Sequence, residues 1–185
     1  MSRKRKDTRF DASERLQYLQ SLVTEYQDTK KQESKEQIVA NLANFAYDPS
    51  NFPHLRRLNV LGLFLDALTE PHDRLVEFGL GGLCNASVDP ENRDRIAENG
   101  GIVRIARYGL SSPNEETVIS ALGTLIQLAV VTSSRPPPSP SIRSQIESDS
   151  VVECATRYAD SVNPRLRNLA TIFLTDVVVR DRQIR

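Results

Sequence analysis

The sequence predicts an all-α fold: a superhelical solenoid of about three repeated units behind an N-terminal capping helix. Three observations carry that expectation. The stretch "ANLANFAYDPSN" (Ala40 to Asn51) returns as "GGLCNASVDPEN" (Gly81 to Asn92), with Leu42/Leu83, Asn44/Asn85, Asp48/Asp89, Pro49/Pro90 and Asn51/Asn92 all at one interval of 41 residues. Apolar residues recur at the three-or-four-residue step of a helix face, and nothing comparable alternates with period two. Capping signals punctuate the chain where those faces begin.

Leu16, Leu19, Leu22 and Val23 mark one side of a first helix, from about Ser13 to Asp28, that caps the front of the stack. Ile38, Leu42 and Phe45 carry the next face. Asp48-Pro49 then stops one helix and opens another, because proline disfavours the helical conformation in the residue before it while Asp supplies a cap acceptor. Leu55/Ile96 and Leu61/Ile102 keep the interval of 41, and "NVLGLFLDALTEP" and "GGIVRIARYGLSSP" both close on proline, Pro71 and Pro113. Val76, Leu80 and Leu83 form the long face of that unit. Asp89-Pro90 repeats the punctuation, and Asn99-Gly100-Gly101 ends the short helix that follows, since glycine accepts a left-handed turn. Ser112-Pro113-Asn114-Glu115 reads as a capping box with proline at the first helical position, ahead of Val118, Leu122, Leu125 and Ala129. A weaker copy aligns Ile96 with Ile146 and Tyr108 with Tyr158, the latter at a spacing of 50. The delay comes from "TSSRPPPSPS" (Thr132 to Ser141), whose prolines exclude helix and favour an extended solvated insertion. Each unit therefore reads as a short, a medium and a longer helix. Residues 1–12 are expected to be a basic disordered tail, 13–178 the repeat domain with its insertion at 132–141, and 179–185 a charged C-terminal tail.

Composition narrows the function. The 24 basic and 24 acidic residues cancel, so no whole-molecule field steers the chain toward nucleic acid or a membrane surface. Apolar runs such as "VLGLFLDAL" (Val60 to Leu68) fall short of the ~20 residues a spanning helix needs, and no signal-peptide core is visible, so a soluble protein is expected. Cys84 and Cys154 stand outside any CxxC or Cys/His grouping, which suits a reducing compartment, and two histidines make a zinc cluster implausible. No cofactor or metal is expected.

A helical unit of about 40–47 residues has the period of armadillo and HEAT repeats, and the three-helix form is armadillo. "VANLANFAYDP" (Val39 to Pro49) and "LGGLCNASVDP" (Leu80 to Pro90) resemble the third-helix signature of armadillo repeats, in which an asparagine near the helix end faces a groove. With "YLQSLVTEYQDT", "GLSSPNEETVISALGTL" and "RLRNLATIFLTD", the chain is similar to a family of small eukaryotic armadillo-repeat proteins from about Leu16 to Asp176. That resemblance implies association with the minor spliceosome. The partner it implies is a protein with an RNA-recognition motif that holds the capped end of a small nuclear RNA.

Asn44 and Asn85 are the leading groove candidates, because a carboxamide offers both donor and acceptor to the backbone of an extended peptide; the alternative is an asparagine bonded to its own helix end. Gln127 keeps a carboxamide in the row. Tyr47 and Phe78 add apolar contact there, or belong to the core. Armadillo import receptors carry tryptophan four residues before this asparagine, whereas this chain has no Trp and places Ala40, Gly81 and Gly123 at those positions. The slots that grip lysine stems are therefore missing. Gly79, Gly81 and Gly82 fall inside a helical pattern, so close packing against a neighbouring helix or partner explains them better than a phosphate loop. Cys84 reads as a small core residue. Arg3, Lys4, Arg5 and Lys6, with Arg9, suit a nuclear-import signal, a phosphate contact or a plain solvated tail. Arg165 and Arg167, with Arg180, Arg182 and Arg185 beyond, face RNA or an acidic partner, or simply open an exposed helix.

The expected function is a non-catalytic protein-binding scaffold in the nucleus that supports pre-mRNA splicing, with its partners an RRM-type RNA-binding protein and spliceosomal proteins. Small nuclear RNA contact is expected to be indirect, and no membrane or small-molecule substrate is implied. The alternative is an armadillo adaptor in nuclear transport or protein degradation. An enzyme is the poorest candidate, since no nucleophile–base set, paired carboxylates or metal ligands emerge. So few repeats are also expected to leave apolar ends, capped in front by the first helix but open at the rear, making the free chain less stable than its complex.

Overall fold

The computed structural model describes residues 12–129 and 140–179, and every regular element among them is helical. Helix α1 (Ala12–Asp28) leads into α2 (Gln32–Phe45). The next unit opens with a 3-10 turn, Pro49–Asn51, running into α3 (Phe52–Arg57), followed by α4 (Val60–Ala67) and α5 (Asp73–Ala86). Its successor comprises α6 (Pro90–Glu98), α7 (Gly101–Arg104) widening into a π-helical turn at Ile105–Gly109, and α8 (Glu115–Ala129). Helices α9 (Pro140–Ile146), α10 (Asp149–Ala159) and α11 (Pro164–Ile172), the last continuing as a π-helix over Phe173–Val179, complete the described chain. The long helices form one row, α2 on α5, α5 on α8 and α8 on α11, with the shorter helices layered behind it.

The repeat explains the joints. Asp48 and Asp89 cap the helices that follow them, accepting from the amides of Ser50 at 2.9 Å and Asn92 at 3.0 Å. Asn51 and Asn92 each send a side-chain N–H back to a carbonyl six residues earlier, Phe45 at 2.8 Å and Ala86 at 2.9 Å. Between the first and second helices the backbone turns through the left-handed region at Asn59 (φ 53°) and Gly100 (φ 70°), the same position of two successive units. Arg56 ties one unit to the next by donating to Asp89 at 2.8 Å and Asn92 at 2.9 Å. Arg15 on α1 does the same to Asp48 and Asn51, so α1 occupies the place of a first helix.

Two expected boundaries move. Helix α8 begins at Glu115, after Pro113, because Asn114 rather than Ser112 caps it: Asn114 Oδ1 accepts from the Glu116 amide at 3.0 Å, while Ser112 Oγ holds the Asn114 amide at 3.2 Å. Pro140 and Ser141, expected in the extended insertion, instead open α9, where proline's fixed φ is compatible with a first turn. The rest of that insertion lies outside the described residues, as do both terminal tails except Ala12, which opens α1, and Val179, which ends the π-helix.

The rear end also departs from expectation. Aligning the capping residues Asn114 and Asn163 places Arg167, Asn168, Thr171 and Thr175 of the last helix where α8 has Val118, Ile119, Leu122 and Ile126. All four are exposed, and Thr171 and Thr175 bond back to carbonyls one turn earlier at 2.8 and 3.0 Å. The last unit thus presents a polar terminal face. In front, α1 buries Leu19, Leu22 and Val23 while Gln17, Gln20 and Thr24 face outward. The front is thus capped by α1, while the described rear face is open but polar at these four positions, with Val162 and Ile172 of the last unit also exposed.

Candidate functional site

The open face of the long-helix row is built from equivalent positions. Ala40, Gly81 and Gly123 form its floor. A Cβ added to Gly81 would meet nothing within 4 Å, and one added to Gly123 would meet only the Cys84 sulfur, at 3.2 Å. Close packing against a neighbouring helix therefore holds for Gly79 and Gly82, which lie against the Phe64 carbonyl and the Phe64 ring, but not for Gly81, where only the partner alternative stays open. Burial raises the Cys84 thiol pKa above its ordinary value, against a smaller opposing hydrogen bond with Thr124.

The carboxamide row divides. Asn44 is exposed, and its side chain has no partner among the described residues. Asn85 is half-buried and donates from Nδ2 to the Ala43 carbonyl on α2 at 3.1 Å, joining two units while its Oδ1 stays available. The Gln127 side chain is half-buried and has no partner among the described residues, and its main-chain carbonyl accepts from Arg93 at 3.2 Å. Tyr47 stands past the end of α2 with 79% of its surface exposed. Val88, its counterpart one interval on, is 52% exposed, a position that the 41-residue register could have pointed out and that composition alone does not. Phe78 packs partly on the core, and the Arg74 guanidinium lies 5.5 Å from its ring centre. It serves the core and edges the open face.

The acids along the N-terminal rim are engaged by the following unit. Arg74 reaches Glu36 at 3.4 Å, Asn114 donates to Glu77 at 3.0 Å, Asn163 donates to Glu115 at 2.7 Å and Arg165 to Glu116 at 2.7 Å. Arg165 therefore belongs to the open face. Arg167 does not: it turns toward the terminal face and donates to the Ser161 carbonyl at 2.7 Å. Arg3, Lys4, Arg5, Lys6 and Arg9, like Arg180, Arg182 and Arg185, lie outside the described residues. Among the described residues no group of three or more His, Cys, Asp or Glu side chains could hold a metal ion, and no helix is long and apolar enough to cross a membrane.

No family model matches the chain. Over 164 residues it is 51% identical to armadillo repeat-containing protein 7 of Mus musculus, covering 88% of this chain and 78% of that protein. Among solved structures it is similar to a designed armadillo repeat protein in complex with peptide (KR)4, with a TM-score of 0.71 at 16% identity. That likeness covers 85% of this chain and 63% of the designed one, so the chain spans less than two thirds of its length. Computationally designed armadillo repeat proteins for modular peptide recognition give a TM-score of 0.70 at 15% identity, over 90% of this chain and 76% of theirs. At such identities the likeness concerns the fold, a three-helix solenoid whose long helices line one groove.

Proposed function

Because the chain belongs to the armadillo repeat-containing protein 7 family, we propose that it is a non-catalytic scaffold whose long-helix groove holds an extended segment of a partner protein. The observation that carries this reading is the open floor at Gly81, flanked by the exposed Asn44 carboxamide and by the Asn85 carboxamide, whose Nδ2 is held by Ala43 and whose Oδ1 remains an acceptor. A peptide backbone alternates donors and acceptors, and carboxamides can meet both. The partner we assign is an RRM-containing protein of the minor spliceosome, held in the nucleus, with small nuclear RNA bound through that partner. The family resemblance supports this assignment.

The groove chemistry disfavours the transport alternative. Import signals are basic and need acids and aromatic slots free to receive them, whereas here the floor lacks tryptophan and Glu36, Glu77 and Glu116 are already held. Affinity purification of the full chain from nuclear extract tests the reading. The RRM protein and minor-spliceosomal proteins should co-purify, survive ribonuclease, and fall by about tenfold with N44A. Recovery of import receptors or ubiquitin ligases instead would transfer the chain to the adaptor class.

A further inference from the structure

The back of the solenoid holds a cleft that the groove reading does not use. It opens between the π-helical turn Ile105–Gly109 and the pair α9–α10, and encloses about 570 Å³. That is within the roughly 300–1,000 Å³ of ordinary binding pockets. Its accessible apolar wall is Val103 and Ala106, with Leu110 and Val151 buried beneath, and Val103 is 56% exposed although it sits on a helix of the second layer. A hydrogen bond from the Tyr158 hydroxyl to the Leu110 carbonyl, 2.8 Å, braces the two sides. Serines 111, 144, 148 and 150 line the mouth.

Its charge is one-sided. Arg107 is the charged side chain in the lining, and Arg157 occupies the matching position one unit on. Each guanidinium stacks on the ring of the tyrosine that follows it, Tyr108 at 5.5 Å and Tyr158 at 5.2 Å. Neither holds a carboxylate among the described residues. By contrast Arg56, Arg74, Arg104 and Arg165 each do, at 2.7–3.4 Å. Asp149 and Glu153 lie on the same helix as Arg157 and form no ion pair with either arginine. Arg157 also donates to the Cys154 sulfur at 3.6 Å, whereas the Arg107 guanidinium makes no hydrogen bond to another described residue, so its N–H groups remain to receive a carboxylate.

We propose that this cleft is a second docking surface, taking a protein segment that places an apolar side chain against Val103 and Ala106 and an acidic side chain on Arg107. The groove would then hold one segment and the cleft another, from the same or a different partner. Linking two such contacts raises the effective concentration of the second once the first is made.

Panning a random 12-residue peptide display library on the full chain tests the proposal. Sequences pairing aspartate or glutamate with an apolar residue should be enriched. A synthetic peptide of that kind should lose about tenfold in affinity, by fluorescence anisotropy, against V103D and R107E, and none against N44A. Replacing its acid by lysine should restore binding to R107E while abolishing it for the native chain. Both substituted positions are surface ones, so the helical circular-dichroism signal serves as the folding control. No enrichment, enrichment of basic peptides, or selected peptides indifferent to V103D and R107E but sensitive to N44A would each overturn the proposal, the last leaving the groove reading intact.

Discussion

Asn85 on α5 donates a side-chain hydrogen bond to the main-chain carbonyl of Ala43 on α2, 3.1 Å across the boundary between successive units. The two repeat-equivalent asparagines consequently have different duties, since the Asn44 side chain has no such partner. N85A should lower stability by about 1 kcal/mol, the usual worth of a neutral hydrogen bond. N44A should leave the melting temperature within error and weaken capture of a groove segment. Thermal melts of the two variants beside binding measurements separate the roles; equal destabilisation would remove the distinction.

Arg56 should prove the stronger of the two interunit clamps. Its side chain is 14% exposed and reaches Asp89, which is 26% exposed, whereas Arg15 at 25% meets Asp48 at 54%. Hydrogen bonds to charged groups away from water contribute about 1.5–3 kcal/mol, while exposed ion pairs contribute about 1 kcal/mol or less. R56A should therefore cost at least about 1 kcal/mol more than R15A in urea unfolding. A reversed order would mean that the terminal unit, not the interior joint, limits stability.

The joints were legible in the sequence where chemistry is local. Asp-Pro at 48–49 and 89–90 announces a cap whatever surrounds it, and the glycine of Asn99-Gly100-Gly101 announces its left-handed turn. Contacts between units were not, because Asn85 reads as a groove residue until the carbonyl lying opposite is known. Arg15 is half an exception: it stands one 41-residue interval before Arg56, so the register marks it, while the acceptors that it reaches are seen only in the fold. The polar rear face was written in Arg167, Asn168, Thr171 and Thr175, but the insertion stretches the interval to the last unit and masks the register. Helix α8 starts late because two side chains compete to cap it and Asn114 reaches the amide of the first turn.

Thr117 is fully buried on α8, and its hydroxyl has no hydrogen-bond partner among the described residues. The equivalent residues of the neighbouring long helices are Leu75 and Leu166, both buried. An unsatisfied hydroxyl in such a place costs on the order of 1–3 kcal/mol, and valine has the same shape without it. T117V should raise the unfolding free energy by about 1 kcal/mol by chemical denaturation. A loss would show that the hydroxyl is satisfied in solution.

Acid should loosen the front of the solenoid through Asp48. The amide and hydroxyl of Ser50, and then the Arg15 guanidinium, hold its carboxyl below the usual 3.8. Because the folded value is depressed, the stabilising contribution is complete above 3.8 and drains away as pH falls through the lower value. D48N removes that dependence. The gap in melting temperature between the native chain and D48N should be widest near neutrality and should shrink below 3.8; a gap that widens toward low pH would contradict the assignment.

Adjacent glycines on α5 should respond to alanine with opposite signs. At Gly82 an added Cβ would lie 2.5 Å from the ring of Phe64, which is fully buried and cannot swing aside, so the helix-propensity gain is overtaken by an overpacking cost of about 1–3 kcal/mol. At Gly81 the same Cβ meets open space. There the exchange should stabilise the helix by up to about 1 kcal/mol. G81A also raises the groove floor by one methyl group beneath any bound backbone, so it should combine a higher melting temperature with weaker peptide capture. That pairing would trace the open floor to binding, because a glycine retained for folding would not gain stability when replaced. A G81A protein that captures its segment as well as the native chain would place the peptide clear of the floor, along the rim of Tyr47 and Val88.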